Sequence, residues 1–230
     1  MNTPAIDIQG LVQKYGSTEA LHGLSLTVEP GQCYGFFGRN GAGKTTTIKC
    51  LLNLLRPAEG SVRVFGLDPR RDESAVKSRL AYVPDFVSFY PWMNVREALD
   101  YQASFRKHWN RDLENSLLSQ FRLDPAAPTS GLSKGQRTQL ALIGAIAAEP
   151  ELLVLDEPTE GIQPSIVDQI EDVIIGFKTA RRFAIVLVEQ GLHFAARLAD
   201  SYVVMAKGAV MAAGKKDELS AEMVKQHLTV

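Results

Sequence analysis

Residues 38–46 read Gly38-Arg39-Asn40-Gly41-Ala42-Gly43-Lys44-Thr45-Thr46 and fit the pattern G-x-x-x-x-G-K-[ST]. An apolar run at 33–37 precedes them and a helix-like run at 46–55 follows, the strand–loop–helix context that the pattern requires. Glycines at 38, 41 and 43 let the backbone bend until successive N–H groups point inward, and the next helix presents its positive end. Such a cradle suits phosphate. Lys44 is placed to bridge β- and γ-phosphates, and the Thr45 hydroxyl to hold Mg²⁺. The stretch predicts a nucleotide site.

A second group is carboxylic. Residues 152–155 are an apolar strand that ends in Asp156-Glu157. In an open parallel sheet the ligand lies beyond the carboxyl ends of the strands, where the phosphate loop also sits. Asp156 is then set to hold Mg²⁺ through water, and Glu157 to orient or deprotonate an attacking water. The run Leu132-Ser133-Lys134-Gly135-Gln136 is more ambiguous, because Ser133 and Gln136 satisfy an S-x-x-Q capping box. Gly135 in a first helical turn runs against helix propensity, and a residue without a side chain would leave the helix N-terminus open to an anion. Local physics leaves both readings standing.

The elements that must position these groups follow from periodicity. Residues 6–12 and 24–28 alternate as strands, with a loop around Tyr15-Gly16-Ser17, and Pro30-Gly31 turns the chain into the strand that feeds the phosphate loop. A short strand is predicted at 61–65, and 79–83 is another apolar run, stopped by Pro84. From about residue 86 to 148 the pattern turns helical and carries Phe86, Phe89, Tyr90, Trp92, Tyr101, Phe105 and Trp109. Asn94-Val95-Arg96-Glu97 looks like a capping box, a second helix covers 112–121, and Pro125 and Pro128 break it from the next. Apolar runs at 152–155 and 184–188 suit parallel strands covered on both faces. Helices are predicted at 164–177 and 192–199, strands at 202–205 and 209–213, and a polar helical tail at the end.

Composition narrows the classes. The 230 residues carry 25 Lys and Arg against 26 Asp and Glu, a net charge of −1, which gives no general attraction to nucleic acid or anionic lipid. Cys33 and Cys50 show no metal-type spacing and read as reduced core residues, and His22, His108, His193 and His227 form no ligand cluster. No signal peptide is apparent, and the longest nearly apolar stretch, 140–148, is far short of a membrane span. The expectation is a chain that meets a membrane only through a partner.

Taken in order, these motifs resemble the ATP-binding subunits of ABC transporters. Residues 38–46 match the Walker A loop, 132–136 the LSGGQ signature with Lys134 for its first Gly, and 152–157 Walker B with its catalytic Glu157. Tyr15 matches the aromatic residue that stacks on adenine. The resemblance implies an α/β fold, a P-loop NTPase of ABC type. Its mixed sheet core (1–84 and 149–230) would carry an N-terminal antiparallel β part, with a helical subdomain inserted at 85–148. It implies ATP and Mg²⁺ as ligands and a head-to-tail pair with a second copy or a paralogue. ATP would then sit between one phosphate loop and Ser133, Gly135 and Gln136 of the other copy. It further implies an integral membrane permease as partner, a cytoplasmic place at the inner face of the cell membrane, and no nucleic acid.

Three positions depart from the family pattern. Asp85 stands where a glutamine is expected, Gln163 where an aspartate is expected, and Gln190 where the switch histidine is expected. Asp85 could bind Mg²⁺ more directly but adds negative charge, and Gln190 can donate to phosphate without carrying a proton. His193 reads as surface-exposed. Residues 20–158 look like ABC-2-type exporter ATPases, whereas 159–230 look like the ATPases of urea and branched-chain amino acid importers. Export is favoured because the docking surface, about residues 85–125, belongs to the exporter-like part. The other readings are an importer ATPase, an ATP-gated interaction module with little hydrolysis, and a soluble ATPase of DNA repair or translation.

Overall fold

Ile6, Ile8 and Leu11 are buried while Gln9, Lys14 and Tyr15 face water, the half-buried pattern of a strand lying over a core. That strand, β1 (Ile6–Tyr15), pairs antiparallel with β2 (Thr18–Val28) through a two-residue turn at Gly16-Ser17, and on its other edge with β4 (Glu59–Val64). The computed structural model describes residues 3–190, 194 and 197–218.

Among the described residues a second sheet of six strands runs in the order β5-β6-β7-β3-β8-β9. Its members are β3 (Cys33–Gly38), β5 (Leu80–Val83), β6 (Leu152–Asp156), β7 (Ala184–Glu189), β8 (Ser201–Ala206) and β9 (Ala209–Lys215), all parallel except β9. Every residue of β3, β6 and β7 is buried, because these central strands are covered on both faces. Leu153 and Leu155 face a helical layer, while Leu152 and Val154 face α1 (Lys44–Leu51) and the antiparallel sheet. Parallel register does the positioning: Phe37 lies beside Glu189, and Asp156 beside Val188. The carboxyl ends of β3, β6 and β7 therefore open at one edge.

The helical layer holds α3 (Val95–Ala103), α4 (Arg111–Phe121), α5 (Lys134–Ala147) and α6 (Pro164–Thr179). The capping box at Asn94 and Glu97 forms as the sequence predicts, with both bonds at 2.8–2.9 Å. Between α3 and α4 the buried Glu114 accepts from Arg96, Trp109 and Arg111, which satisfies a carboxylate that burial alone would penalise. Cys33 and Cys50 are free and buried, and burial pushes their thiols up to about 12 and about 11.

Several boundaries move. The helix predicted from residue 46 begins at Lys44, because Gly43 at φ 106° makes the turn that ends the loop. A short helix, α2 (Glu73–Arg79), buries only Val76 and so leaves no periodic signal. Half of the helix predicted at 192–199, including His193, and the polar tail beyond residue 218 lie outside the described residues. Among the described residues no helix is long and apolar enough to cross a membrane.

Candidate active site

The loop between β3 and α1 owes its shape to three glycines acting in different ways. Gly41 and Gly43 take φ of 81° and 106°, which a side chain would strain. Gly38 has ordinary φ; there the constraint is space, since a Cβ would lie 2.7 Å from Met205 O and 2.9 Å from Ala42 Cβ. The idea that all three glycines serve the bend is thus corrected at Gly38. A Cβ at Gly41 would meet open space, so that side of the loop is free for a ligand. The helix behind it has no side chain capping its N-terminus, and its first-turn N–H groups stay available to an anion. Arg39, Asn40 and Thr45 are exposed, Thr46 is half-buried, and Ala42 is buried against the sheet.

Lys44 is only 4% exposed and bends back over the loop. Its Nζ donates to Gly38 O at 2.6 Å and Arg39 O at 3.2 Å, and lies 3.1 Å from Glu157 Oε1. Glu157 takes φ of 49°, a strained conformation for a residue with a side chain, and its N–H donates to Val188 O at 2.9 Å. Gln190 Nε2 donates to Glu157 Oε2 at 2.7 Å. Burial opposes the charge on Glu157. The bonds to Gln190, Glu160 and Lys44 outweigh it and hold this carboxyl below the usual range. Glu160, which shares a hydrogen bond with Glu157, is pushed the other way.

Asp156 is buried, accepts from Tyr82 Oη at 3.2 Å through Oδ2, and leaves Oδ1 without a partner. Burial, then the nearby charges of Asp85 and Glu157, push it up to about 6, against the Tyr82 bond. An orphaned carboxylate oxygen beside the phosphate loop fits a divalent cation. Asp85 is exposed and accepts from Phe86 N at 2.8 Å.

Of the two readings of the signature segment, the capping box forms and the open helix end at Gly135 does not. Ser133 and Gln136 form a reciprocal capping box, with Gln136 N to Ser133 Oγ at 3.3 Å and Ser133 N to Gln136 Oε1 at 3.0 Å. Gly135 does not keep the helix end open: it is buried, and a Cβ there would lie 3.0 Å from Ile162 Cγ2 and Ile166 Cγ2. Its missing side chain lets α5 pack closely on the turn that opens α6. Gln163 is exposed at the N-cap of α6 and caps nothing with its side chain. Tyr15 ends β1 and is 48% exposed, which leaves it open to stacking.

Three residues at the site escape the motif reading: Tyr82, Glu160 and Glu189. Glu189 ends a buried strand just as Asp156 does, and that same rule could have flagged it.

The ABC transporter family model matches residues 21–160, with the phosphate loop, the signature segment and Glu157 all inside it. The chain belongs to the ABC transporter family. It is an ABC ATPase subunit of a transporter, with an ATP-binding domain. The daunorubicin/doxorubicin resistance ATP-binding protein DrrA of Streptomyces peucetius is 35% identical over 96% of this chain and 68% of its own length. The Nod factor export ATP-binding protein I of Ralstonia nicotianae is 33% identical over 95% of this chain and 69% of its own length. Both matches run through the importer-like segment after residue 158 as well as the exporter-like one. A solved ATP-binding subunit of an ABC transporter superposes with a TM-score of 0.88 at 25% identity, over 98% of this chain and 100% of that one. The fold is that of an ABC ATPase.

Proposed function

We propose that this ABC ATPase binds ATP on residues 38–46, pairs head to tail with a second copy or paralogue, and uses hydrolysis to drive an exporter-type permease. The observation that carries this reading is the Glu157 carboxylate held ionised between Gln190 and Lys44, beside the phosphate loop. A carboxylate fixed there can orient a water against the γ-phosphate and take its proton. Lys44 already bonds carbonyl oxygens of the loop, and in the loaded site it exchanges them for phosphate oxygens. Mg²⁺ would be held by Thr45 and Asp156, with Asp85 in reach, and supplies charge neutralisation on the phosphates.

Ser133, Gly135 and Gln136 would meet the γ-phosphate of the opposite copy. Gly135 contributes its backbone, and the two capping side chains share their bonds with the ligand. Tyr15 stacks on adenine. The export reading draws on relatives named for drug resistance and Nod factor export. It places the subunit on the inner face of the membrane through its permease. The importer reading retains one support, the Glu160-Gly161-Ile162-Gln163-Pro164 and Val188-Glu189-Gln190 sequences, and co-purification of an importer-type permease alone would favour it.

The test is turnover and self-association of Glu157→Gln with ATP. The variant is expected to bind ATP, lose nearly all hydrolysis and accumulate as a dimer, whereas Lys44→Ala loses nucleotide affinity. Hydrolysis by Glu157→Gln at the parental rate overturns the assignment.

A further inference from the structure

We propose that Glu189 is a positioning residue: it pins Thr159, and with it the turn carrying Glu157 and Gln163, to the end of the strand that aims Gln190. The inference rests on the reading that the chain hydrolyses ATP at Glu157.

Glu189 is the last residue of β7 and only 4% exposed. Its Oε1 accepts from Thr159 Oγ1 at 2.7 Å and from Thr159 N at 3.3 Å, and its carboxylate also accepts from the backbone of Gln190. The acceptors of one carboxylate therefore gather the first residues of two separate segments. One segment is the turn after β6, which runs from the strained Glu157 through Thr159 to Gln163. The other is the end of β7, where the next side chain, Gln190, reaches back to Glu157 Oε2. The closed circuit Glu157–Thr159–Glu189–Gln190–Glu157 fixes the distance between the carboxylate and the amide that orients it.

A neutral structural role could be filled by any buried acceptor. Glu189 is instead a charge-bearing group in a dry place, where the ionised form holds these donors through stronger, charge-assisted bonds than the neutral acid can. The charged group that bears on it is Glu157, and its register partner on β3 is the neutral Phe37. Burial pushes its carboxyl up to about 7, against the Thr159 bonds, so the circuit is fully charged only on the alkaline side of neutrality. Among the described residues the Glu189 carboxylate bonds Thr159 and Gln190 and not the phosphate loop, so ATP binding should not depend on it.

The experiment is steady-state ATP hydrolysis by the purified chain across about pH 6 to 9, spanning the titration. Parent, Glu189→Gln, Thr159→Ser and Thr159→Val are compared. Glu189→Gln should lose about tenfold or more in kcat above neutrality, the loss of one charge-assisted hydrogen bond, with KM for ATP unchanged. The step in parental kcat centred near pH 7 should be absent in that variant, leaving only the fall at lower pH. Thr159→Ser keeps the hydroxyl and should retain activity; Thr159→Val should reproduce the loss. Parental kcat and pH profile in Glu189→Gln, with Glu157→Gln inactive, overturns this inference and leaves the ATPase reading intact. Full turnover in both variants overturns both.

Discussion

Gln190 Nε2 donates to Glu157 Oε2 at 2.7 Å, so this amide, just past the end of β7, holds the carboxylate directly. An amide cannot relay a proton at neutral pH; here it orients Glu157 and favours its ionised form. Among the groups that lower the Glu157 value, which burial opposes, the Gln190 bond is the largest. Gln190→Ala should therefore lower kcat by about tenfold. Placed in a Glu189→Gln background, which removes the step near pH 7, it should also move the remaining acidic limb upward, since Glu157 then accepts a proton more readily. Kinetics showing a lower kcat with an unmoved limb would mean that Gln190 acts by some other route.

Glu189 makes a stability prediction with a definite sign. Its carboxyl is raised from 4.5 to about 7, chiefly by burial. A raised carboxyl contributes stability below its unfolded value and loses that contribution as pH climbs through its folded value. The shift corresponds to roughly 3 kcal/mol lost by the nucleotide-free parent between about pH 4 and 8. Glu189→Gln carries no such loss. Thermal melts at fixed ionic strength should find the variant close to the parent near pH 5 and more stable than it at pH 8 (both approximate bounds of the titration). A gap between the two that does not change with pH would contradict the burial of this charge.

The local parts of the site are legible in the sequence because each is written in consecutive residues. The phosphate loop, the apolar strand ending in Asp156-Glu157 and both capping boxes need only neighbours within a turn. What joins them is not local. Thr159 meets Glu189 across 30 positions, and Tyr82 meets Asp156 across 74, because parallel register brings these strand ends together. No spacing rule encodes that. Gly135 shows a subtler limit: its conflict with helix propensity is visible, but the cause is the approach of Ile162 and Ile166 from a later helix. The helix at Glu73–Arg79 offered no pattern at all, since only one of its residues, Val76, is buried.

The aromatic segment yields the last prediction. Buried core rings would be the ordinary outcome for such residues, yet Phe86, Trp92 and Phe105 are 76%, 73% and 71% exposed. Tyr90 stacks on Trp92 at 4.7 Å between ring centres and meets Tyr101 edge-on at 5.5 Å, and Tyr101 meets Phe105 at 5.0 Å. Tyr90, Tyr101 and Phe105 of this ladder line a groove of about 720 Å³ that Tyr82 and Phe86 also border. Tyr82 Oη bonds Asp156, so one wall of the groove is tied to the candidate metal ligand. A permease segment seated there would cover rings that the domain leaves in water, and would press on a residue in contact with the catalytic centre. Replacing exposed rings costs the isolated domain little, within about 0.5 kcal/mol each. The double substitution Phe86→Ala and Phe105→Ala should therefore leave melting and basal hydrolysis near parental values while abolishing co-purification with the permease from membranes. Retention of the permease by that variant would move the docking surface elsewhere on the subunit.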